Sequence, residues 1–251
     1  MMSPMNLKSR LTKGETLIGT IISMPSPEVA ELMALAGFDW LFIDLEHGPM
    51  GFLEAQRMIQ AVGGRCDSLV RVPENTEVSM KKALDIGAAG IIAPKVNTAG
   101  EAAEIVKYCK YAPEGQRGIG ATRAHGYGIH FQEYVARANT DILVVIQIEH
   151  IEGVKNIESI VAVPGVDVVF VGPYDLSAST DLMGQVDHPE VLAAIGQAEA
   201  ACKKVGKPMG YFGMTPESVK PAMAKGYQLI TCGTDTGFLS AGAQATFSAL
   251  K

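Results

Sequence analysis

Two apolar runs in this chain end on a carboxylate. Leu143 to Glu149 reads LVVIQIE, and Val168 to Asp175 reads VVFVGPYD. A buried carboxylate without a partner costs roughly several kcal/mol and tends to take up a proton. Two of them side by side repel unless a cation sits between them. An oxygen-only pair with room for water suits a hard divalent ion such as Mg²⁺ or Mn²⁺. Two further apolar runs finish on reactive groups. IDLEHGP brings Asp44, Glu46 and His47 to the end of one, and LVRVP brings Arg71 to the end of another.

These residue types suggest one chemistry. A divalent ion held by Glu149 and Asp175 can bind the keto and carboxylate oxygens of a 2-oxo acid and stabilise its enolate. Arg71 supplies a guanidinium to the same oxyanion. His47, oriented by Asp44, is the candidate general acid or base. The Gly172-Pro173-Tyr174 turn offers backbone N–H groups for a carboxylate. The set would make or break a C–C bond next to a pyruvate enolate. Lys95, in APKV, keeps a Schiff-base route open as the alternative.

Such groups must be brought to one face, and the texture of the chain says how. Short Val- and Ile-rich runs occur at Leu17–Ser23, Trp40–Asp44, Leu69–Val72, Gly90–Val96, Ile142–Glu149, Val166–Val171, Met209–Phe212 and Gln228–Thr231. Amphipathic stretches of helical period separate them. SPEVAELMALAG, HPEVLAAIGQAEAACKKVG and TPESVKPAMAKG each open with a residue before Pro and close on Gly, as helix starts and stops do. Strand-helix alternation implies a parallel sheet covered by helices. About eight units in about 250 residues predict a (β/α)8 TIM barrel over residues 1–251 as one domain, with an open doubly wound sheet as the competitor. A barrel of this kind carries its site at the C-terminal ends of the strands, where all the residues above fall. Gly115–Asn139 breaks the rhythm as a long Gly-rich loop, a place where function concentrates.

Composition limits the partners. The chain has 251 residues and a net charge of -6, with no basic cluster, so nucleic acid and anionic membrane are poor partners. Cys66, Cys109, Cys202 and Cys232 are scattered without metal spacing, as expected of reduced thiols in a cytoplasmic protein. No run is long enough for a membrane span, and no signal-peptide pattern opens the chain.

AGFDWLFIDLEHGP, RVPENTEVSMKKALDIGAAGIIAPKV, PEGQRGIG, VVIQIEHIEGVKNIESI and GVDVVFVGPYDLS, in this order over nearly the whole chain, resemble the HpcH/HpaI family of metal-dependent class II pyruvate aldolases. The resemblance implies a pyruvate-binding (β/α)8 barrel, a Mg²⁺, Mn²⁺ or Co²⁺ cofactor, and a homo-hexamer whose last helix, here Thr236–Lys251, is exchanged between subunits. It implies Glu149 and Asp175 as metal ligands, His47 with Asp44 as the acid-base pair, Arg71 at the oxyanion and Gln147 against pyruvate. It assigns Asp85 to a neighbouring subunit's site and Arg117 to loop organisation. Arg123 is a candidate for the far carboxylate of a dicarboxylic substrate, or simply a solvated loop residue. HGPM after His47 and ATRAHGYG in the long loop depart from the family pattern, which leaves the aldehyde open. A CoA-ester lyase of the citryl- or malyl-CoA type and a non-catalytic barrel that binds a 2-oxo acid are the alternatives.

Overall fold

Each apolar run becomes a strand in the computed structural model, which describes residues 6–251; the first five residues of the expected domain lie outside it. The strands are β1 (Leu17–Ile22), β2 (Trp40–Asp44), β3 (Asp67–Arg71), β4 (Gly90–Ala93), β5 (Leu143–Ile148), β6 (Val168–Val171), β7 (Met209–Gly213) and β8 (Leu229–Thr234). Each pairs in parallel with the next, and β8 returns to β1, so the sheet is a closed barrel. Closure rules out the open doubly wound sheet. The expected strand through Val96 stops at Ala93. Pro94 has no N–H for the ladder, and Lys95 turns to a left-handed φ of 52°.

The helices start where the sequence marks them. Ser26, Thr215 and His188 each cap the helix that follows, with Pro at its first turn, over Pro27–Leu35, Pro216–Ala224 and Pro189–Lys204. The stretch expected as a long loop, Gly115–Asn139, ends in the helix Phe131–Asp141, and a further unexpected helix lies near the start of the described residues. Leu7–Thr12 lays Leu7 and Leu11 against the interior residues Trp40, Leu69, Leu143 and Leu229. The Leu7 N–H donates to Asp67 at the start of β3, so this helix closes the barrel end opposite the mouth.

Burial separates two cores. One lies between sheet and helices, with Ile43, Val70, Ile146, Val169 and Val171. The other fills the barrel, with Trp40, Phe42, Leu69, Leu143, Val145, Val168 and Phe170. Side chains alternate along a strand. The interior series Trp40, Phe42 therefore continues to Asp44, Leu69 to Arg71, Leu143 and Val145 to Gln147 and Glu149, and Val168 and Phe170 to Gly172. The polar groups are the top layer of the interior, which is why apolar strands end on acids. No helix of the described residues is long and apolar enough to cross a membrane. All four cysteines are free thiols.

Candidate active site

Register brings the first pair together. Asp44 and Arg71 are Cα partners across β2 and β3. Arg71 Nε donates to Asp44 Oδ1 at 2.9 Å and Nη2 to Oδ2 at 2.6 Å, a fork-to-fork pair with both residues buried. Burial works against the Asp44 charge, but the Arg71 hydrogen bonds and charge hold its carboxyl below the usual range. The guanidinium also lies over the Phe42 ring, 5.1 Å from the centroid. This corrects one expectation. The Asp44 carboxylate orients Arg71, not the His47 imidazole. Its contact with His47 is to the backbone N–H, at 3.3 Å, and it takes the Glu46 N–H at 3.0 Å. Asp44 thus shapes the loop that carries His47, and the imidazole lines the cavity from an exposed position.

Glu149 is 4% exposed. Gln147 Nε2 donates to its Oε1 at 2.8 Å and the Lys95 N–H to its Oε2 at 3.2 Å. Burial pushes its carboxyl up from 4.5 to about 7; nearby Arg71 opposes the shift, and Asp175 and Glu46 add to it. Asp175 sits in the first turn of the helix Pro173–Ala178, directly after β6. The β5–β6 register pairs Ile148 with Val171, so Gly172 comes beside Glu149. A Cβ there would meet Glu149 Oε1 at 2.7 Å. Gly172 has an ordinary φ of -97°, so the constraint is space for the carboxylate, not backbone strain. The turn offers fewer donors than expected. The Gly172 N–H is taken by Ile148 O and Pro173 has none, which leaves Tyr174 of the three.

These groups line one cavity of about 530 Å³. Asp44, His47, Arg71, Gln147, Glu149 and Asp175 form its polar side, and Ile21, Phe212 and Met214 its apolar side. Phe42 and Phe170, its floor, were not singled out from sequence, although the two-residue period through Asp44 and Gly172 points to both. Glu46 was also left unassigned. Its Oε2 is 3.2 Å from Arg71 Nη1 and its Oε1 is 3.3 Å from Lys95 Nζ. The Lys95 ammonium is thus an ion-pair partner at the exposed rim and does not line the cavity, which removes the support for a Schiff base.

Asp85 and Arg123 do not reach this cavity. Asp85 accepts from Arg117 Nη2 at 2.7 Å. Arg117 is buried with its guanidinium over the Tyr111 ring and near that of Tyr134, and it organises the long loop as expected. Arg123 donates to Ile86 O at 2.9 Å. The two line a separate pocket of about 400 Å³ with Phe52 and Lys82.

Among the described residues, no group of three or more His, Cys, Asp or Glu could surround a metal. A hard ion that takes two protein carboxylates and completes its shell with water and substrate oxygens does not need one. The Glu149–Asp175 pair, the space left by Gly172 and the unpartnered Gln147 Oε1 fit such an ion. Gly172→Ala is expected to displace the Glu149 carboxylate and weaken divalent-ion binding at least about tenfold, the scale for disturbed support around a ligand. Calorimetric titration of Mn²⁺ into the variant checks this, and unchanged affinity would contradict it.

The HpcH/HpaI aldolase/citrate lyase family model matches residues 18–241. The chain is 37% identical to a 2-dehydro-3,6-dideoxy-6-sulfogluconate aldolase of Pseudomonas putida, over 93% of this chain and 92% of that one. It is 36% identical to a 4-hydroxy-2-oxovalerate aldolase of Novosphingobium aromaticivorans, over 97% and 94%. A crystal structure of an HpcH/HpaI aldolase/citrate lyase family protein from Burkholderia cenocepacia superposes with a TM-score of 0.93 at 34% identity, over 97% of this chain and 98% of that one. With this sequence, barrel and mouth, the chain belongs to the HpcH/HpaI aldolase/citrate lyase family and is a carbon–carbon lyase of the aldolase kind.

Proposed function

We propose that the enzyme cleaves, or in reverse forms, the C–C bond of a 4-hydroxy-2-oxo acid, giving pyruvate and an aldehyde. The observation that carries this reading is the convergence of Arg71–Asp44, Gln147, Glu149, Asp175 and His47 on one cavity. Glu149 and Asp175 would hold a divalent ion, Mg²⁺, Mn²⁺ or Co²⁺, which when bound polarises the keto oxygen of the substrate. Arg71, fixed by Asp44, directs its remaining N–H groups at the oxygen that gains charge as the bond breaks. Gln147 and the Tyr174 N–H orient the pyruvate half. His47 exchanges the proton of the 4-hydroxyl, and its exposed position lets solvent reset it. His47→Ala is expected to lower turnover at least about 10²-fold, the usual scale of acid-base catalysis. Steady-state cleavage rates test this, and a loss under tenfold would remove His47 from that role.

The reading includes a homo-hexamer. The helix Asp235–Ala249 carries no charged residue after Asp235 and is exposed along almost its whole length in the single chain. Phe247 is 60% and Leu250 83% exposed. An uncharged helix with apolar residues on open faces is poorly held in water on its own, which supports exchange onto a neighbour. In such an assembly, Asp85 and Arg123 are assigned to the mouth of a neighbouring barrel, since neither reaches its own.

The deciding experiment is exchange of the pyruvate methyl protons in D₂O, followed by NMR, with EDTA-treated enzyme and then with added Mg²⁺, Mn²⁺ or Co²⁺. Exchange that depends on metal is the expected result and needs no knowledge of the aldehyde. No exchange with any of the three metals would overturn the reading in favour of a CoA-ester lyase or a non-catalytic binder.

A further inference from the structure

Lys95 stands out twice. It is a non-glycine residue in the left-handed region, φ 52°, directly after β4 and at the barrel mouth. L-residues with side chains adopt this conformation at a cost, and it persists where the surroundings enforce it. Three contacts hold Lys95, one of them from Asn97 Nδ2 to its carbonyl at 3.3 Å. Its backbone N–H donates to Glu149 Oε2 at 3.2 Å, and its ammonium lies 3.3 Å from Glu46 Oε1. The other Glu46 oxygen lies 3.2 Å from Arg71 Nη1, without hydrogen-bond geometry.

The charges around Arg71 explain why this matters. Asp44 alone balances the guanidinium. Glu46 is a second carboxylate at the same cation and is mostly buried, with a side-chain exposure of 12%. Without Lys95, the cluster of Asp44, Glu46 and Arg71 carries a net negative charge where an oxyanion must develop. Lys95 returns the four groups to neutrality. It also draws one Glu46 oxygen outward to the rim, away from the cavity. Among the described residues, no other lysine or arginine pairs with Glu46.

We propose that Lys95 is a positioning residue for the lyase reaction. It neutralises and tethers Glu46, so that the Arg71 charge stays available to the developing oxyanion, while its strained backbone aims an N–H at Glu149. The inference rests on the enolate reading above and extends it to a residue that touches no substrate. Its ammonium side chain is 60% exposed, so its removal leaves no cavity in the core.

The test uses metal-loaded full-length enzyme and the pyruvate proton-exchange assay, always relative to wild type. Lys95→Met keeps the backbone donor and removes the charge. Its kcat is expected to fall about tenfold, the order for one charge lost several ångströms from the oxyanion, with a smaller change in KM. Lys95→Arg is expected to stay within about threefold of wild type, since it restores the cation. Adding Glu46→Gln to Lys95→Met removes the unpaired carboxylate and is expected to recover most of the lost kcat. Lys95→Met within twofold of wild type would overturn the proposal. A double variant no faster than Lys95→Met would also overturn it, because the lysine would then not act through Glu46. Absence of exchange in wild type is a different outcome and counts against the enolate reading itself.

Discussion

Arg71→Ala is expected to abolish aldol turnover. Two losses coincide at this residue. The first is catalytic. Removing one donor from an oxyanion site costs about 10²- to 10³-fold in rate, and Arg71 is the only lysine or arginine among the described residues that line the cavity. The second is structural. Asp44 is 3% exposed and takes both of its side-chain donors from Arg71, with only the backbone N–H groups of Glu46 and His47 beside them. Breaking a buried pair on one side costs about 3–5 kcal/mol, because the remaining charge has no partner. Burial, then opposed only by the Glu46 and His47 N–H groups, pushes the Asp44 carboxyl upward from its present lowered state. Arg71→Lys separates the two effects. A lysine keeps the charge but cannot form the fork onto Asp44. Its stability is expected to lie nearer wild type than that of Arg71→Ala, while turnover stays low. The checks are cleavage rates alongside thermal melts. Arg71→Ala turnover within tenfold of wild type would refute the role.

The barrel was legible because its signals are local. Apolar runs of strand length, Ser26-Pro27 and Thr215-Pro216 starts and Gly stops repeat along the chain, and each marks an element without knowledge of the others. The strand ends were legible for the same reason, since Glu149, Asp175, Arg71 and Asp44 all terminate apolar runs. What pairs with what was harder. The expected Asp44–His47 partnership rested on closeness in sequence and on the family resemblance. The actual partner, Arg71, is set by the β2–β3 register, which no local signal records. Glu46 was passed over for a related reason. Its importance comes from two cations distant in sequence, Arg71 at the end of β3 and Lys95 just after β4. The closing helix Leu7–Thr12 is too short to show helical periodicity.

Position in the barrel separates the residues that one chain can place from those it cannot. Glu149 and Arg71 lie where the motif puts them, because strand ends of a closed barrel have little freedom. Asp85 and Arg123 sit on the periphery, one at the end of a helix and one in the long loop. Their assignment depends on where a second subunit lies. Within one chain, Asp85 serves Arg117 and Arg123 serves a backbone carbonyl. The long loop is internally built, with the buried His125 ring engaging the backbone of Gly120, Thr122 and Gly128.

Glu149→Gln is expected to remove metal-dependent exchange and yet to stabilise the metal-free protein in alkaline solution. The argument is one of linkage. Burial raises the Glu149 carboxyl from 4.5 to about 7 in the folded chain, above its value when unfolded. A folded state that binds the proton more tightly is favoured most below the unfolded value, near pH 4.5. That contribution is lost as pH rises through about 7. Above pH 7 the metal-free enzyme therefore holds a buried carboxylate beside Glu46 and Asp175, at a cost of up to about 3 kcal/mol. Glutamine has nearly the same shape and no charge. Its oxygen can accept the Lys95 N–H, and once the Gln147 amide turns over, so that Oε1 replaces the Nε2 donor facing Glu149, the new amide can donate to Gln147 Oε1. In EDTA, the variant is expected to melt several degrees above wild type at pH 8.5, since about 1 kcal/mol moves Tm by roughly 2–4 °C in a chain of this size. The difference should close near pH 5, where wild-type Glu149 is itself protonated. The same proton competes with metal, so Mn²⁺ affinity of wild type should fall as pH drops below 7. Equal melting temperatures at pH 8.5, or a gap that widens toward pH 5, would show that Glu149 is not the buried acid on which the metal site rests.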